Sequence, residues 1–293
     1  MAWLQLIIDT HPTRADAISE WLNFHDAQAV TMVDGKDTPM YEPKPGEVLL
    51  WPDTRVIGLF ASDADIQALA AKLQQSGLLN SDDKLKTEQL EDKDWVREWM
   101  DSFHPMQFGQ RLWICPSWRE IPEPSAVNVL LDPGLAFGTG THPTTALCLE
   151  WLDGIDVTNC QVVDFGCGSG ILGVAALKLG AAHCIGIDID PQALLATKEN
   201  AKRNQVDRQF DVFMPEQQPQ LEADVVVANI LSGPLLELRS IITAYCRIGG
   251  QLVLSGILAE QVAEIEKHYA ENFDLAPSKV SGEWARVSGT RRV

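Results

Sequence analysis

Nine residues, Val162-Val163-Asp164-Phe165-Gly166-Cys167-Gly168-Ser169-Gly170, constrain this chain more than any other segment. An apolar run ending in an acid, then glycines at every second position, reads as a strand, a tight turn and a helix start. Glycine lets the backbone bend sharply and approach a ligand where a Cβ would block it. Around this turn short apolar runs alternate with helix-period segments. Strands are predicted at Gln161 to Asp164, His183 to Ile187, Phe210 to Phe213, Asp224 to Ala228 and Gln251 to Ser255. Helices are predicted at about Pro143 to Leu152, Gly170 to Leu179, Pro191 to Asn204, Pro234 to Tyr245 and Ala259 to Tyr269. Uninterrupted apolar strands such as Val225-Val226-Val227 are expected when a parallel sheet is covered on both faces, so the fold class is α/β with a doubly wound sheet. Two more strand-like pieces, Leu112 to Cys115 and Val127 to Leu131, lead into it.

The first ninety residues have a different rhythm. Strands at Trp3 to Ile8, Ala29 to Val33, Val48 to Trp51, Val56 to Phe60 and Leu85 to Leu90 surround two helices. In the first helix, Thr13 to Phe24, Ala17, Ile18, Trp21 and Leu22 share a face, with Thr13 available as cap. In the second, Asp63 to Gln75, Ile66, Leu69, Ala70 and Leu73 point inward. Pro39 to Pro45 must be a loop. The order β-α-β-β-α-β predicts a ferredoxin-like α+β domain over 1–90. It carries no motif for chemistry, which leaves binding or docking. The charged and aromatic stretch from Glu91 to His104 places Trp95, Trp99 and Phe103 on one helical face, and a linker is assigned to 91–107. It is either a packed linker helix or one whose end, Phe103 and His104, reaches the active site. The remainder, 108–293, is the catalytic domain.

Charge narrows the partners. Lys plus Arg number 23 against 41 Asp plus Glu, a net charge of −18; through Asp92 the chain carries 7 basic and 16 acidic residues, a net −9, and the rest another −9. Nucleic acid is a poor partner for such a surface, because phosphate binding rests on clustered cations. A basic protein suits it better. The six cysteines form no C-x-x-C pair, and no His stands at zinc-finger spacing, so reduced thiols of a cytoplasmic protein and no metal are expected. The N-terminus lacks the features of a signal peptide, and no apolar run is long enough to cross a membrane.

Asp164 ends its strand at the turn, and a second strand ends at Asp188, 22 residues after Gly166. An acid there suits the hydroxyls of an adenosine ribose. Asp190, two residues on, caps the helix beginning at Pro191. Dinucleotide enzymes use a longer Gly-x-Gly-x-x-Gly turn facing a pyrophosphate. The present form, opened by a carboxylate, suits a ligand with an amino-acid ammonium group. Asn229 follows the apolar strand 224–228 at the sheet's carboxyl edge. It is a turn-former, or an amide whose carbonyl accepts a hydrogen bond from an amine and aims its lone pair. The loop Asp132 to Thr145 is rich in Gly and Thr and ends by capping a helix with Pro143 in its first turn; for His142 capping outweighs acid/base work.

The glycine turn resembles that of Class I S-adenosylmethionine-dependent methyltransferases. With the N-terminal domain, the Trp-rich linker, the loop 132–145, Gly186 to Asp190 and Asn229-Ile230-Leu231, the chain resembles the bacterial ribosomal protein L11 methyltransferase family nearly end to end. That resemblance implies a Class I methyltransferase (Rossmann-like) fold, the cofactor S-adenosyl-L-methionine, and methyl transfer to lysine side chains and the N-terminal amine of protein L11. It further implies a substrate-recognising N-terminal domain that the linker lets reorient. Thr145, Gly166, Asp188 and Asn229 would contact the cofactor, Phe103 and the loop from Phe137 through Gly138 and Thr139 to Thr141 would shape its pocket, and Asp164 and Gly168 belong to the same set. Asn229 would be the catalytic residue. A monomer in the cytoplasm, with neither membrane nor nucleic acid as partner, is expected. Two other readings stay open: a nucleic-acid amino-group methyltransferase, which −18 and the absence of the Pro-Pro-aromatic after Asn229 disfavour, and a non-catalytic S-adenosylmethionine-binding docking module.

Overall fold

A computed structural model describes residues 3–36, 51–90, 103–132 and 140–293, and the chain divides into two compact units, Met1–Met100 and Asp101–Val293. The first unit runs β1 (Trp3–Thr10), α1 (Pro12–Phe24), β2 (Ala29–Asp34), β3 (Thr54–Ala61), α2 (Ile66–Gln75) and β4 (Lys84–Leu90). Its strands pair antiparallel in the order β2-β3-β1-β4, the ferredoxin-like arrangement expected from the order of elements. Burial along β3 alternates strictly, so one face of the sheet lies against the helices and the other faces out. Leu6, Ile8, Ile18, Leu22, Val56, Phe60 and Leu73 form the core.

Two details of α1 correct the sequence reading. Its inward face is Ala15, Ile18 and Leu22, with Trp21 half-buried against the same core as expected and Ala17 exposed. Its cap is His11, whose Nδ1 accepts the Thr13 N–H at 3.4 Å, rather than Thr13. Pro12 explains the shift: proline favours the first helical position and drives the residue before it into extended backbone, which makes residue 11 the cap. The loop at Pro39–Pro45, residues 48–50 of the expected strand and residues 91–102 of the linker, with Trp95 and Trp99, lie outside the described residues.

Among its described residues the second unit holds two sheets. β5 (Met106–Phe108), β6 (Leu112–Cys115) and β7 (Val127–Leu130) form a small one of their own, so Met106 and Gln107 belong to a strand and not to a linker helix. The rest is α3 (Pro143–Gly154), β8 (Gln161–Phe165), α4 (Ile171–Lys178), β9 (His183–Ile187), α5 (Pro191–Arg203), β10 (Phe210–Phe213), β11 (Ala223–Asn229), α6 (Ser232–Glu237), α7 (Arg239–Tyr245), β12 (Cys246–Leu258), α8 (Val262–Tyr269), β13 (Phe273–Ser281) and β14 (Trp284–Arg291). The seven-stranded sheet has the order β10-β9-β8-β11-β12-β14-β13, parallel from β10 to β12, with β14 antiparallel to both β12 and β13. Alternate strand residues feed two cores: Val162, Val225, Val227 and Val253 pack beneath α4, and Val163, Val226, Leu252 and Leu254 pack with Leu235, Ile242 and Tyr269. Both faces are covered, as the apolar strands predicted.

The helix expected from Pro234 to Tyr245 is two short ones. Leu238, with φ −94° and ψ 9°, ends the first, and its carbonyl accepts from both the Ile241 and Ile242 N–H groups to start the second. The hairpin β13–β14 completes the sheet beyond the last helix foreseen. Strand order reverses between β8 and β11, and in open α/β sheets ligands bind at that switch point, outside the carboxyl ends of the strands.

Candidate active site

The turn after β8 sits at this switch point. Gly166, Gly168 and Gly170 have φ of +76°, +55° and +76°, backbone that L side chains avoid. Space forbids substitution as well: a Cβ on Gly166 would lie 2.3 Å from Ile230 Cγ2, and one on Gly170 would lie 2.7 Å from Thr197 Cγ2. The N–H groups of Gly166 and Cys167 both donate to the Ile187 carbonyl at 2.7 and 3.1 Å, tying the turn to β9. From α5, Thr197 Oγ1 donates to the Gly168 carbonyl at 3.0 Å and Asn200 Nδ2 to that of Ser169 at 2.8 Å. Sequence reasoning missed these two; the signal was a polar pair three residues apart on the inward face of an amphipathic helix.

Asp188, just beyond β9, is half-buried. Its Oδ2 accepts the Gly168 N–H at 2.8 Å and its Oδ1 the Asp190 N–H at 3.0 Å. Asp190 caps α5 by accepting from the Gln192 N–H at 2.8 Å, as its position before Pro191 predicted. Asp164 lies deeper, 1% exposed. Its Oδ2 accepts the Gly173 N–H at 2.9 Å, and its Oδ1, equally buried, has no partner. Burial pushes its pKa up to about 7; the Gly173 N–H opposes this and the charge of Asp188 adds to it.

Asn229 closes β11 opposite Ser255 of β12. Its Nδ2 donates to Thr145 Oγ1 at 3.2 Å, and its Oδ1 is buried without a partner. Thr145 is fully buried in the first turn of α3. That helix is capped by His142, whose Nδ1 accepts the Thr144 N–H at 3.4 Å, so His142 does the capping foreseen for it. Burial lowers the His142 pKa, which favours the neutral ring. Trp284, which the sequence reading passed over, meets the His142 ring edge-on at 4.8 Å from the start of β14, opposite Leu258.

Ile230 joins the two halves of the site, since it follows Asn229 and its side chain fills the space beside Gly166. Asp164, Gly166, Gly168, Asp188, Asn229 and Thr145 are thus brought to one edge of the sheet. Phe103 is half-buried, and its carbonyl accepts from Arg119 Nε at 3.2 Å. Phe137, Gly138 and Thr139 lie outside the described residues. The segments flanking them are anchored: Asp132 accepts from the Ser117 N–H and Oγ at 2.7 and 2.8 Å and pairs with Arg203 at 3.2 Å, and Gly140, φ +86°, packs beside Ile171 and Met106. A cleft of about 760 Å³ lies elsewhere, between residues 215–222 and α7, and shares no residue with the turn. Chemistry rather than cavity size locates this site. Two orphaned acceptor atoms, Asp164 Oδ1 and Asn229 Oδ1, suit a ligand and a co-substrate rich in N–H donors.

A family model described as "Ribosomal protein L11 methyltransferase (PrmA)" matches residues 2–292. Ribosomal protein L11 methyltransferases of Alteromonas mediterranea and Pseudoalteromonas atlantica are 66% and 62% identical to the chain over 292 residues, covering all of each protein. The crystal structure of a ribosomal protein L11 methylase from Lactobacillus delbrueckii subsp. bulgaricus superposes with a TM-score of 0.58 at 31% identity, covering 65% of this chain and 100% of that one.

Proposed function

The chain belongs to the ribosomal protein L11 methyltransferase family, and from that membership we propose that it transfers methyl groups from S-adenosylmethionine to lysine side chains and the N-terminal amine of ribosomal protein L11. The observation that carries the reading is the pair of buried, unpartnered acceptors at adjacent strand ends. They match the cofactor's ammonium group and the N–H of an acceptor amine. Asp164 would accept from the ammonium. Asp188 keeps a free lone pair on each oxygen after its two backbone bonds, enough for ribose hydroxyls. Gly166 and Gly168 would let the backbone come close, and Thr145, Phe103, Gly138 and Thr139 would complete the pocket, as motif positions carried over from the family. When bound, the cofactor supplies a sulfonium-activated methyl, which passes to the amine nitrogen as its bond to sulfur breaks and the electron pair returns to sulfur.

A free lysine amine has a pKa near 10.4, so roughly one in two thousand is neutral at pH 7. An apolar entrance lined by Phe103 and Phe137 would lower that pKa, and the proton leaves to solvent before entry. No dedicated base is then required. Asn229 Oδ1 orients the neutral amine, and alignment supplies most of the rate. Residues 1–90 act as the substrate-recognition domain, 91–105 as linker and 106–293, which takes in β5, as the methyltransferase domain; the acidic N-terminal part complements a basic ribosomal protein. The enzyme works as a cytoplasmic monomer without contacting nucleic acid or membrane; among the described residues no helix is long and apolar enough to cross a membrane.

Incubation with methyl-labelled cofactor and a whole-ribosome extract tests the reading. Label confined to one basic large-subunit protein is the expected result. Label in RNA makes the enzyme a nucleic-acid methyltransferase, and cofactor binding without label makes it a docking module.

A further inference from the structure

An asparagine amide has two ends of nearly the same shape and opposite hydrogen-bonding character. Only one of them helps methyl transfer. A carbonyl accepts an N–H of the target amine and leaves its lone pair free. An NH2 group in the same place would donate to that lone pair and occupy the electrons that must form the new carbon–nitrogen bond.

Resting on the transfer reaction proposed above, we infer that Thr145 is a positioning residue that holds the Asn229 amide carbonyl-first toward the acceptor amine. Asn229 Nδ2 is spent on Thr145 Oγ1 at 3.2 Å, which leaves Oδ1 as the buried end without a partner. The hydroxyl that fixes the amide stands on a helix. Its own N–H donates to the His142 carbonyl at 3.1 Å, and α3 is bound to β14 and β13 through the Leu147 carbonyl with Arg286 and through Glu150 with Lys279. Thr145 is 0% exposed, so water does not compete for that bond. A contact with the cofactor accounts for neither the spent NH2 nor the orphaned carbonyl. The arrangement also ranks successive transfers. A neutral primary amine offers two N–H groups, a methylated amine one and a dimethylated amine none, so Oδ1 guides the first two transfers and has nothing to accept in a third.

The main comparison is among wild type, Thr145→Val, which keeps the shape and loses the hydroxyl, and Thr145→Ser, which keeps the hydroxyl. At saturating S-adenosylmethionine, kcat on the unmodified protein substrate falls about tenfold in T145V, the size of one neutral hydrogen bond, and stays within about twofold in T145S. On substrate reductively dimethylated beforehand, which offers Oδ1 no N–H, the kcat loss in T145V shrinks from about tenfold to within about threefold. Adding T145V to Asn229→Ala has no further effect. The side-chain NH2 protons of Asn229, followed by NMR in the enzyme alone, are protected from exchange in wild type and T145S and lose protection in T145V. The inference is overturned if T145V raises only the cofactor Kd with kcat intact, if T145S falls as far as T145V, or if NH2 protection survives in T145V. Were the wild type to methylate no amine while the NH2 protection followed the hydroxyl, the reaction assignment would fail and the amide anchoring would stand.

Discussion

Asp164 and Asp188 stand at the carboxyl ends of neighbouring parallel strands, yet their surroundings make them different reagents. Asp188 is half-buried, and both its oxygens accept backbone N–H groups. Asp164 is sealed under the turn with one oxygen bonded and the other bare, and its pKa climbs to about 7. A satisfied carboxylate holds a backbone shape; an unsatisfied one lacks a donor that a ligand can bring. Asn229, across the switch point, falls on the unsatisfied side with Asp164.

If that division is real, the unsatisfied side governs chemistry. Asn229→Ala should cut the single-turnover rate by about a hundredfold, the cost of misaligning a reacting group, while the cofactor Kd moves less than about threefold. An unchanged rate removes Asn229 from the mechanism. Asp164→Asn should weaken cofactor binding by about tenfold to a hundredfold, the range for a charged hydrogen bond, measured by titration calorimetry. Because ammonium recognition needs the ionised carboxylate, wild-type affinity should rise with pH up to about 7 and level above it, and the Asn variant should lose that rise. Stability runs the opposite way. The folded chain holds this proton more tightly than the unfolded chain, whose Asp titrates near 3.8, so the stability contributed is complete below 3.8 and lost as pH rises through about 7.

On the satisfied side, Asp188→Ala should raise the cofactor Kd about tenfold and also cost about 1 kcal/mol of stability, since two backbone donors lose their acceptor. A lower melting temperature with unaltered Kd would make Asp188 purely structural. Asp190→Ala is the smallest change: about 1 kcal/mol for a lost helix cap, with cofactor affinity as in wild type. Affinity that moved with Asp190 would blur the boundary between cap and ligand.

Which residues meet at this edge of the sheet was largely readable in the sequence. Glycine spacing, the strand ending at Asp188 and Pro after Asp190 depend on local backbone rules, and those rules apply wherever the chain goes. What depends on packing was hidden. No pattern in the sequence says that the second oxygen of Asp164 finds no donor, or that Asn229 Nδ2 meets a threonine 84 residues away. Thr197 and Asn200 stand on the inward face of α5, and nothing local says which turn they serve. The β13–β14 hairpin escaped because β13 is mostly exposed, with Pro277 inside it and Gly282 after it, so no alternation marks it. The break at Leu238 carries neither Gly nor Pro. Gly138 and Thr139, chosen with the rest of the pocket, lie outside the described residues.

The six cysteines are all free, all lie beyond residue 114, and five of them are buried, in β6, α3, the glycine turn, β9 and the start of β12. Burial holds the thiols of Cys148 and Cys246 up at about 12 and about 11, too protonated to react while the fold is closed. Alkylation by a thiol reagent therefore acts as a clock for transient opening of the second unit, to which the first hundred residues contribute no background. Cys167, lodged inside the turn, makes that clock local: its labelling rate should slow as ligand occupies the turn, giving a titration of occupancy that needs neither turnover nor a radioactive methyl group.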